Sequence, residues 1–270
     1  MSRRVITLLT DFGLTDPLVG IVKGVILGIN PEARFVDLTH EILPQDILAG
    51  ALALEAAVPY FPPGAIHLAV VDPGVGGERR PLVVEVGGHA FVGPDNGLFT
   101  FLWRRPGVRA VACTNPTYHL PSVSRTFHAR DLFAPVAAHL SLGVPLARLG
   151  PPVEDPVELP WPSPRDVGDA EEGEVLHVDR FGNLITNLTL PGSPEGRGVV
   201  LEIAGLRIEG LAPYYAATRA GEVGAIVGST GRIEIFVNRG NARDRLGVGR
   251  GAPVRLTKSP KMSWGSSPQT

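Results

Sequence analysis

At 270 residues, with 44% hydrophobic and 19% charged side chains, the chain has material for one large or two ordinary domains with a substantial core. A formal net charge of −2 excludes the basic balance that a nucleic-acid or membrane-surface partner would require. One cysteine, Cys113, excludes a disulfide framework and a thiolate metal site within the chain, and no apolar run approaches the roughly 18 residues of a membrane span.

Met1-Ser2-Arg3-Arg4 leads into a short strand rather than an apolar leader, so the cytoplasm is the expected compartment. The predicted elements then alternate. Val5–Leu9 and Phe35–Leu38 read as buried strands on either side of a helix at Leu18–Ile29, which Asn30-Pro31 stops. Ile47–Val58 is Ala/Leu-rich and helical, closed by Pro59. Ala65–Val71, Leu82–Val86, His89–Val92 and Ala110–Cys113 are strands, followed by a helix at Leu132–Leu140. Such β–α alternation predicts an α/β fold with a mostly parallel sheet flanked by helices.

Composition shifts between Pro151 and Pro164, where six prolines with Glu and Asp predict an extended linker. Beyond Gly173 come short strands with turns: Glu174–Val178, Leu184–Leu188, Val199–Ile203, Ala225–Val227, Ile233–Val237 and Val254–Leu256. They predict a smaller antiparallel β-barrel or sandwich. Two domains are therefore expected, residues 1–160 and 161–270, the second ending in a polar, frayed tail from Lys258.

Four clusters can carry chemistry. Thr10-Asp11-Phe12-Gly13-Leu14-Thr15-Asp16 follows the first strand, and its carboxylates suit a diol or an ammonium group; alternatively Asp16 caps the helix after Pro17. Val71-Asp72-Pro73-Gly74-Val75-Gly76-Gly77-Glu78-Arg79 puts Asp72 at the lip of the sheet, where open α/β folds bind ligands, with Arg79 as a partner or merely a surface ion pair. In Ser124-Arg125-Thr126-Phe127-His128-Ala129-Arg130-Asp131, His128 precedes a helix that Asp131 could cap; the imidazole is either packed or a proton acceptor near neutral pH. Asp179-Arg180-Phe181-Gly182-Asn183 reads as a hairpin turn carrying an aromatic and an amide. There is no Walker A run, no GxGxxG opening a helix and no HExxH, so neither metal nor cofactor is expected.

With Gly93-Pro94-Asp95-Asn96-Gly97-Leu98, these clusters occur in an order that resembles the S-adenosyl-L-methionine hydroxide adenosyltransferases, relatives of the fluorinases and chlorinases, from about Val5 to Leu256. The resemblance implies an N-terminal α/β domain and a C-terminal β-barrel. It also implies a homotrimer with substrate between subunits, and hydrolysis of S-adenosyl-L-methionine to adenosine and L-methionine. Asp72, Arg79 and His128 would hold the attacking water, with Asp72 or His128 taking its proton. Asp11 would grip the ribose diol. Phe127 would line the substrate site and Phe181 lie against adenine, with Asn183 at the adenine edge. Asp16 and Asp179 would meet the methionine ammonium and Ser229 and Thr230 its carboxylate. Val237 and Asn238 would offer groups to adenine.

Fluorinases carry tyrosine where Asp72 stands, a halide-binding serine where Ala129 stands, and an aromatic over the ribose where Gln45 stands. A carboxylate at the nucleophile position repels halide, which favours hydrolysis over a chlorinase-like transfer. A non-catalytic nucleoside or S-adenosyl-L-methionine sensor is the remaining alternative, although a sensor needs no water-holding set.

Overall fold

The computed structural model describes residues 4–190 and 198–258; of the tail expected to fray from Lys258, Lys258 itself pairs with Val199 at the end of β14, and 259–270 lies outside the described residues. The chain folds as two compact units, Met1–Trp161 and Pro162–Thr270.

The first unit is built on a six-stranded mixed sheet. In chain order its elements are β1 (Val5–Thr10), α1 (Leu18–Ile29), β2 (Arg34–Thr39), α2 (Ile47–Ala57), β3 (Ile66–Val70), β4 (Pro81–Val86), β5 (His89–Pro94), β6 (Arg109–Ala112) and α3 (Ala134–Ser141). The strand order is β2-β1-β3-β5-β4-β6. β1 runs parallel to β2 and β3, and β3 parallel to β5, while β4 is antiparallel to both its neighbours. The predicted mostly parallel sheet is thus present, with β4 as the returning arm of a hairpin turned at Gly87-Gly88. Central strands are buried on both faces because helices cover both. Ile66, Leu68 and Val70 of β3 pack with Val22, Ile26, Phe133 and Val136 on one side. Ala69 and Val71 pack with Ala51, Leu54, Phe91 and Phe99 on the other.

From β1 the chain crosses outward to β2 and then back past β1 to β3, so the strand order reverses between β1 and β3. A crevice opens at such a reversal beyond the carboxyl ends of the strands. Thr10, the last residue of β1, pairs with Val70, the last of β3. Asp11 and Asp72 therefore emerge beside each other from adjacent strands.

The second unit contains β7 (Arg165–Asp166), β8 (Ala170–Val178), β9 (Leu184–Thr189), β10 (Val199–Ile203), β11 (Leu206–Glu209), β12 (Val223–Val227), β13 (Arg232–Val237), a five-residue helix α4 (Ala242–Leu246) and β14 (Pro253–Lys258). All pairings are antiparallel, in the order β11-β10-β14-β8-β9-β13-β12, with β7 alongside β8. The Ala212 N–H, just past β11, donates to the Ala225 carbonyl of β12 at 2.7 Å, bringing the two ends of the sheet into a nearly closed barrel. Register shifts in β8 and β13 add the local twist that closure needs. Val175, Leu184, Leu201, Ile233, Ile235 and Leu256 fill the interior.

Four local expectations change. β2 is not a buried strand but a half-exposed edge of the sheet, with Val36 and Asp37 exposed. Residues 151–161 are no free linker but a strap on the first unit. Ala112 N–H donates to the Pro151 carbonyl and Val153 N–H to Ala110 along the edge of β6, and Trp161 packs near Phe101. Those bonds satisfy an edge strand that would otherwise expose its backbone groups. Asp16 does not cap α1: Pro17 is the N-cap, without a side-chain bond. Asp131 does not cap either; its carboxylate accepts the Ser124 N–H at 2.8 Å and pairs with Arg130, and the helix before Ala134 is a π-helical turn over Ala129–Phe133.

Candidate active site

A cleft of about 250 Å³ opens at the strand reversal, lined by Asp11, Phe12, Leu18, Val70, Asp72, Val75, Thr126, Phe127, His128 and Ala129. Asp72 and His128 of this lining form one connected set with Arg79. Arg79 Nε donates to both oxygens of Asp72 at 3.0 Å, and its Nη2 donates to Asp72 Oδ2. The same Nη2 lies 2.8 Å from His128 Nδ1. The Asp72 and Arg79 side chains are only 5% and 9% exposed, so the pair is no surface ion pair. Arg79 also stacks over the Phe133 ring at 5.3 Å, which fixes its plane from beneath.

A guanidinium has donors only, so His128 Nδ1 must be the acceptor in that bond. The neutral imidazole therefore carries its proton on Nε2. Burial, and then the Arg79 charge, hold the His128 pKa below its ordinary value of 6.5, against the opposing pull of Asp72 and Asp131. Near neutral pH the ring is accordingly neutral, as its bond to Arg79 requires.

Glycine makes the meeting of these two loops possible. Gly76 has φ of +78°, and a Cβ on it would stand 2.0 Å from the Arg125 carbonyl oxygen. The 72–79 loop thus lies directly against the segment that carries His128.

Asp11 lines the same cleft. Its Oδ2 accepts the Gln45 N–H at 2.9 Å, leaving Oδ1 without a partner among the described residues. Gln45 adopts φ of +68°, a left-handed conformation that costs a non-glycine residue energy and is found where a site demands it. Behind Asp11, Thr10 Oγ1 bonds His40 Nδ1 at 2.8 Å, and the His40 carbonyl accepts the Gly13 N–H. Phe127 stands edge-on to Phe12 at 6.1 Å and under the Arg130 guanidinium, so the aromatic wall is rigid. Asp16 is exposed beyond this wall and does not line the cleft.

The remaining predicted residues lie on the second unit. Asp179 to Asn183 closes the β8–β9 hairpin: Asp179 accepts the N–H groups of Phe181 and Asn183 at 2.8 Å and the Asn183 Nδ2 at 2.9 Å. With Gly182 at φ +83°, this rigid turn presents Phe181 74% exposed. A large apolar side chain held outward by so well-bonded a turn is suited to contact a ligand or partner. Ser229 and Thr230 both lie exposed in the β12–β13 turn. Val237 is buried at the end of β13, and Asn238 Nδ2 donates to the Thr218 carbonyl at 2.6 Å. Among the described residues no cluster of three or more His, Cys, Asp or Glu side chains could hold a metal ion, and no helix is long and apolar enough to cross a membrane.

Sequence reasoning missed Thr126 and Val75 as lining residues, and it saw Gln45 only as a lost aromatic rather than as a backbone donor to Asp11. No side-chain pattern announces a backbone donor.

A two-unit α/β and β-barrel protein, with a buried carboxylate–guanidinium–imidazole set at the strand reversal of its first unit, is the class that fold and site define. The SAM hydroxide adenosyltransferase N-terminal domain model matches residues 6–150, and the C-terminal domain model of the same family matches residues 173–255. The chain belongs to the SAM hydroxide adenosyltransferase family. It is 45% identical to the (R)-S-adenosyl-L-methionine hydrolase of Thermus thermophilus, over 94% of this chain and 99% of that one. It is 44% identical to the enzyme of the same name from Salinispora tropica, over 93% and 97%. A fluorinase of Nocardia brasiliensis is more distant, at 27% over 83% and 86%. The crystal structure of an uncharacterized conserved protein from Thermotoga maritima superposes with a TM-score of 0.88 at 34% identity, covering 94% of this chain and all of that one.

Proposed function

We propose that the chain hydrolyses (R)-S-adenosyl-L-methionine to adenosine and L-methionine in the cytoplasm, with Asp72, Arg79 and His128 holding the attacking water. The observation that carries this reading is the connected Asp72–Arg79–His128 set, whose Asp72 and His128 line one cleft with the free oxygen of Asp11. The sulfonium leaves as a neutral thioether, so no acid is needed. Water oxygen forms the new bond to C5′, the C5′–S bond breaks with its electron pair kept by sulfur, and one water proton is released. What the protein must supply is a water held in line and a group to take that proton.

The tautomer supports one division of roles. His128 Nδ1 is occupied by Arg79, so its Nε2–H is left to donate to the water oxygen and orient it. Asp72 Oδ1 takes a single bond from Arg79 Nε, so it keeps a lone pair for the water proton. Asp72 is therefore the proton acceptor and His128 the positioner. The test is direct: purified protein supplied with each sulfonium epimer should release adenosine and methionine in equal amounts from the R form and neither from the S form. Added chloride should yield no 5′-chloro nucleoside. Binding without product would support the sensor alternative.

Asp11 binds the ribose diol in this reading. Asp11→Asn should weaken binding by roughly 1–3 kcal/mol through loss of charge-assisted hydrogen bonds. The preference for substrate over its 2′-deoxy analogue should shrink in the same variant, as competition assays would show; unchanged discrimination would remove Asp11 from the diol.

We further infer a homotrimer in which a neighbouring copy completes each site. Pockets that enclose drug-sized ligands run to ~300–1,000 Å³, and the first-unit cleft, about 250 Å³, falls short of that. The neighbour would supply Phe181 and Asn183 to adenine, Asp179 to the methionine ammonium, Ser229 and Thr230 to its carboxylate, and Val237 and Asn238 to adenine. Asp16 would come from the same copy as Asp11 and reach the ammonium. Asp72→Asn and Asn183→Ala should each inactivate the enzyme alone, and subunit exchange between them should restore part of the activity. Mixtures that stay inactive after proven exchange would place the whole site in one chain.

A further inference from the structure

The Gly93-Pro94-Asp95-Asn96-Gly97 segment places no side chain in the cleft, yet it is bonded to both ends of the 72–79 loop. Asn96 Nδ2 donates to the Val71 carbonyl at 2.9 Å, immediately before Asp72. Asn96 Oδ1 accepts the Leu98 N–H at 3.2 Å, which fixes which end of the amide faces Val71. Asp95, 2% exposed at its side chain, accepts Arg80 Nε at 2.7 Å, immediately after Arg79. Its own N–H donates to the Arg80 carbonyl at 2.9 Å. The other Asp95 oxygen accepts the Val157 N–H at 2.8 Å, and Arg80 Nη1 reaches Asp155 at 2.7 Å, so the strap closes over the same point. Two glycines admit the segment. A Cβ on Gly93 would stand 2.2 Å from the Ala69 carbonyl oxygen, and one on Gly97, at φ +96°, would stand 2.5 Å from the Leu159 side chain.

Apart from the Asp72–Arg79 pair and the fit of Gly76 against Arg125, little holds the middle of the loop. Gly74, Gly76 and Gly77 bring no side chains, and its internal backbone bonds are Val75 to Asp72 at 3.3 Å and Gly77 to Gly74 at 3.0 Å. A segment so poor in its own contacts takes its position from its ends. We propose that Asp95 and Asn96 are positioning residues that clamp the two ends of the 72–79 loop, so that Arg79 engages Asp72 and His128 at once. The inference rests on the water-holding role given to those three residues. One turn after β5 thereby sets the register between strand end β3 and strand start β4, which carry the two halves of the ion pair.

Asn96→Ala and Arg80→Lys test the clamp in the intact enzyme. Misplacement of a reacting group by about 1 Å costs on the order of 100-fold in rate. The expected result is a kcat lowered about 10- to 100-fold with KM changed less than about threefold, because Asp11 and the aromatic wall are untouched. A second readout separates positioning from general loosening. The charge state of His128 is set by burial, by Arg79 and more weakly His119, and in the opposite sense by Asp72 and Asp131. When Arg79 swings away, its lowering effect is lost and the His128 pKa rises. The acid limb of the kcat–pH profile should then move to higher pH in both variants. Arg80 is 35% exposed at its side chain, so Arg80→Lys keeps the test available if Asn96→Ala does not fold. Folded variants with normal kcat beside an inactive Asp72→Asn would overturn the clamp alone. So would an unmoved acid limb with kcat and KM altered together. A wild-type protein without turnover, or Asp72→Asn with full turnover, would overturn the catalytic reading and the clamp with it.

Discussion

Asp72→Asn should lower turnover of S-adenosyl-L-methionine by about two orders of magnitude or more, with substrate binding largely preserved. The amide matches the carboxylate in size, so the cleft keeps its shape. It replaces one acceptor oxygen by a donor NH2 that must face either the Arg79 donors or the water proton. The amide is neutral, so the ion pair with Arg79 is lost whichever way it turns, and with its NH2 toward the cleft the water also has nowhere to send its proton. Arg79→Ala and His128→Ala should each fall by a similar factor, since the three groups act as one network, and such effects are not additive. Steady-state kinetics with calorimetric binding of substrate separates the two quantities. Near-normal turnover in all three variants would remove the set from the chemistry.

Gly76→Ala should damage the site nearly as severely, although it touches no reacting atom. The new Cβ would stand 2.0 Å from the Arg125 carbonyl oxygen and 3.0 Å from its carbon, both backbone atoms that no rotamer change can relieve. The residue also sits at φ +78°, which costs a side-chain-bearing residue of order 1–3 kcal/mol. The loop must therefore retreat from the 124–128 segment, and with it Arg79 from His128 Nδ1. Turnover should drop at least about tenfold, because orientation of reacting groups tolerates little displacement. Gly74→Ala is the matched control: its Cβ would meet only side-chain atoms, the nearest being Arg79 Cγ at 3.4 Å. Equal activities for the two variants would show that close docking at Gly76 carries no weight.

Much of this molecule is legible in its residues alone. The Ile66–Val70 run is apolar except for His67, and it is buried on both faces as its apolar content suggests. Leu18–Ile29 carries its own periodicity and its own stop. Asp72 after an apolar strand and before glycines announces a carboxylate at a sheet end, and Asp11 does the same one strand away. Elsewhere local pattern misleads. A Pro-rich, acidic stretch reads as a linker from composition, but in the fold 151–161 satisfies the backbone of edge strand β6 and the buried Asp95. Asp16 and Asp131 fit the helix-cap pattern, yet Asp131 is held by Ser124 and Arg130 instead, and Pro17 begins α1 unaided.

The sequence by itself determined the residue types, the element order and the carboxylates at strand ends, because these follow from local hydrophobic period and from backbone chemistry within a few residues. Only the tertiary structure decided which groups meet. Asp72 and Arg79 are separated by a glycine loop, and His128 lies 49 residues beyond Arg79, so their contact depends on the strand reversal and on Gly76 fitting against Arg125. The same long-range geometry gave His128 its tautomer, since only the position of Arg79 determines which ring nitrogen must accept. It also gave the Asp95-Asn96 turn its place at both ends of the loop. Contacts between segments remote in the chain depend on packing, and packing is a property of the whole fold.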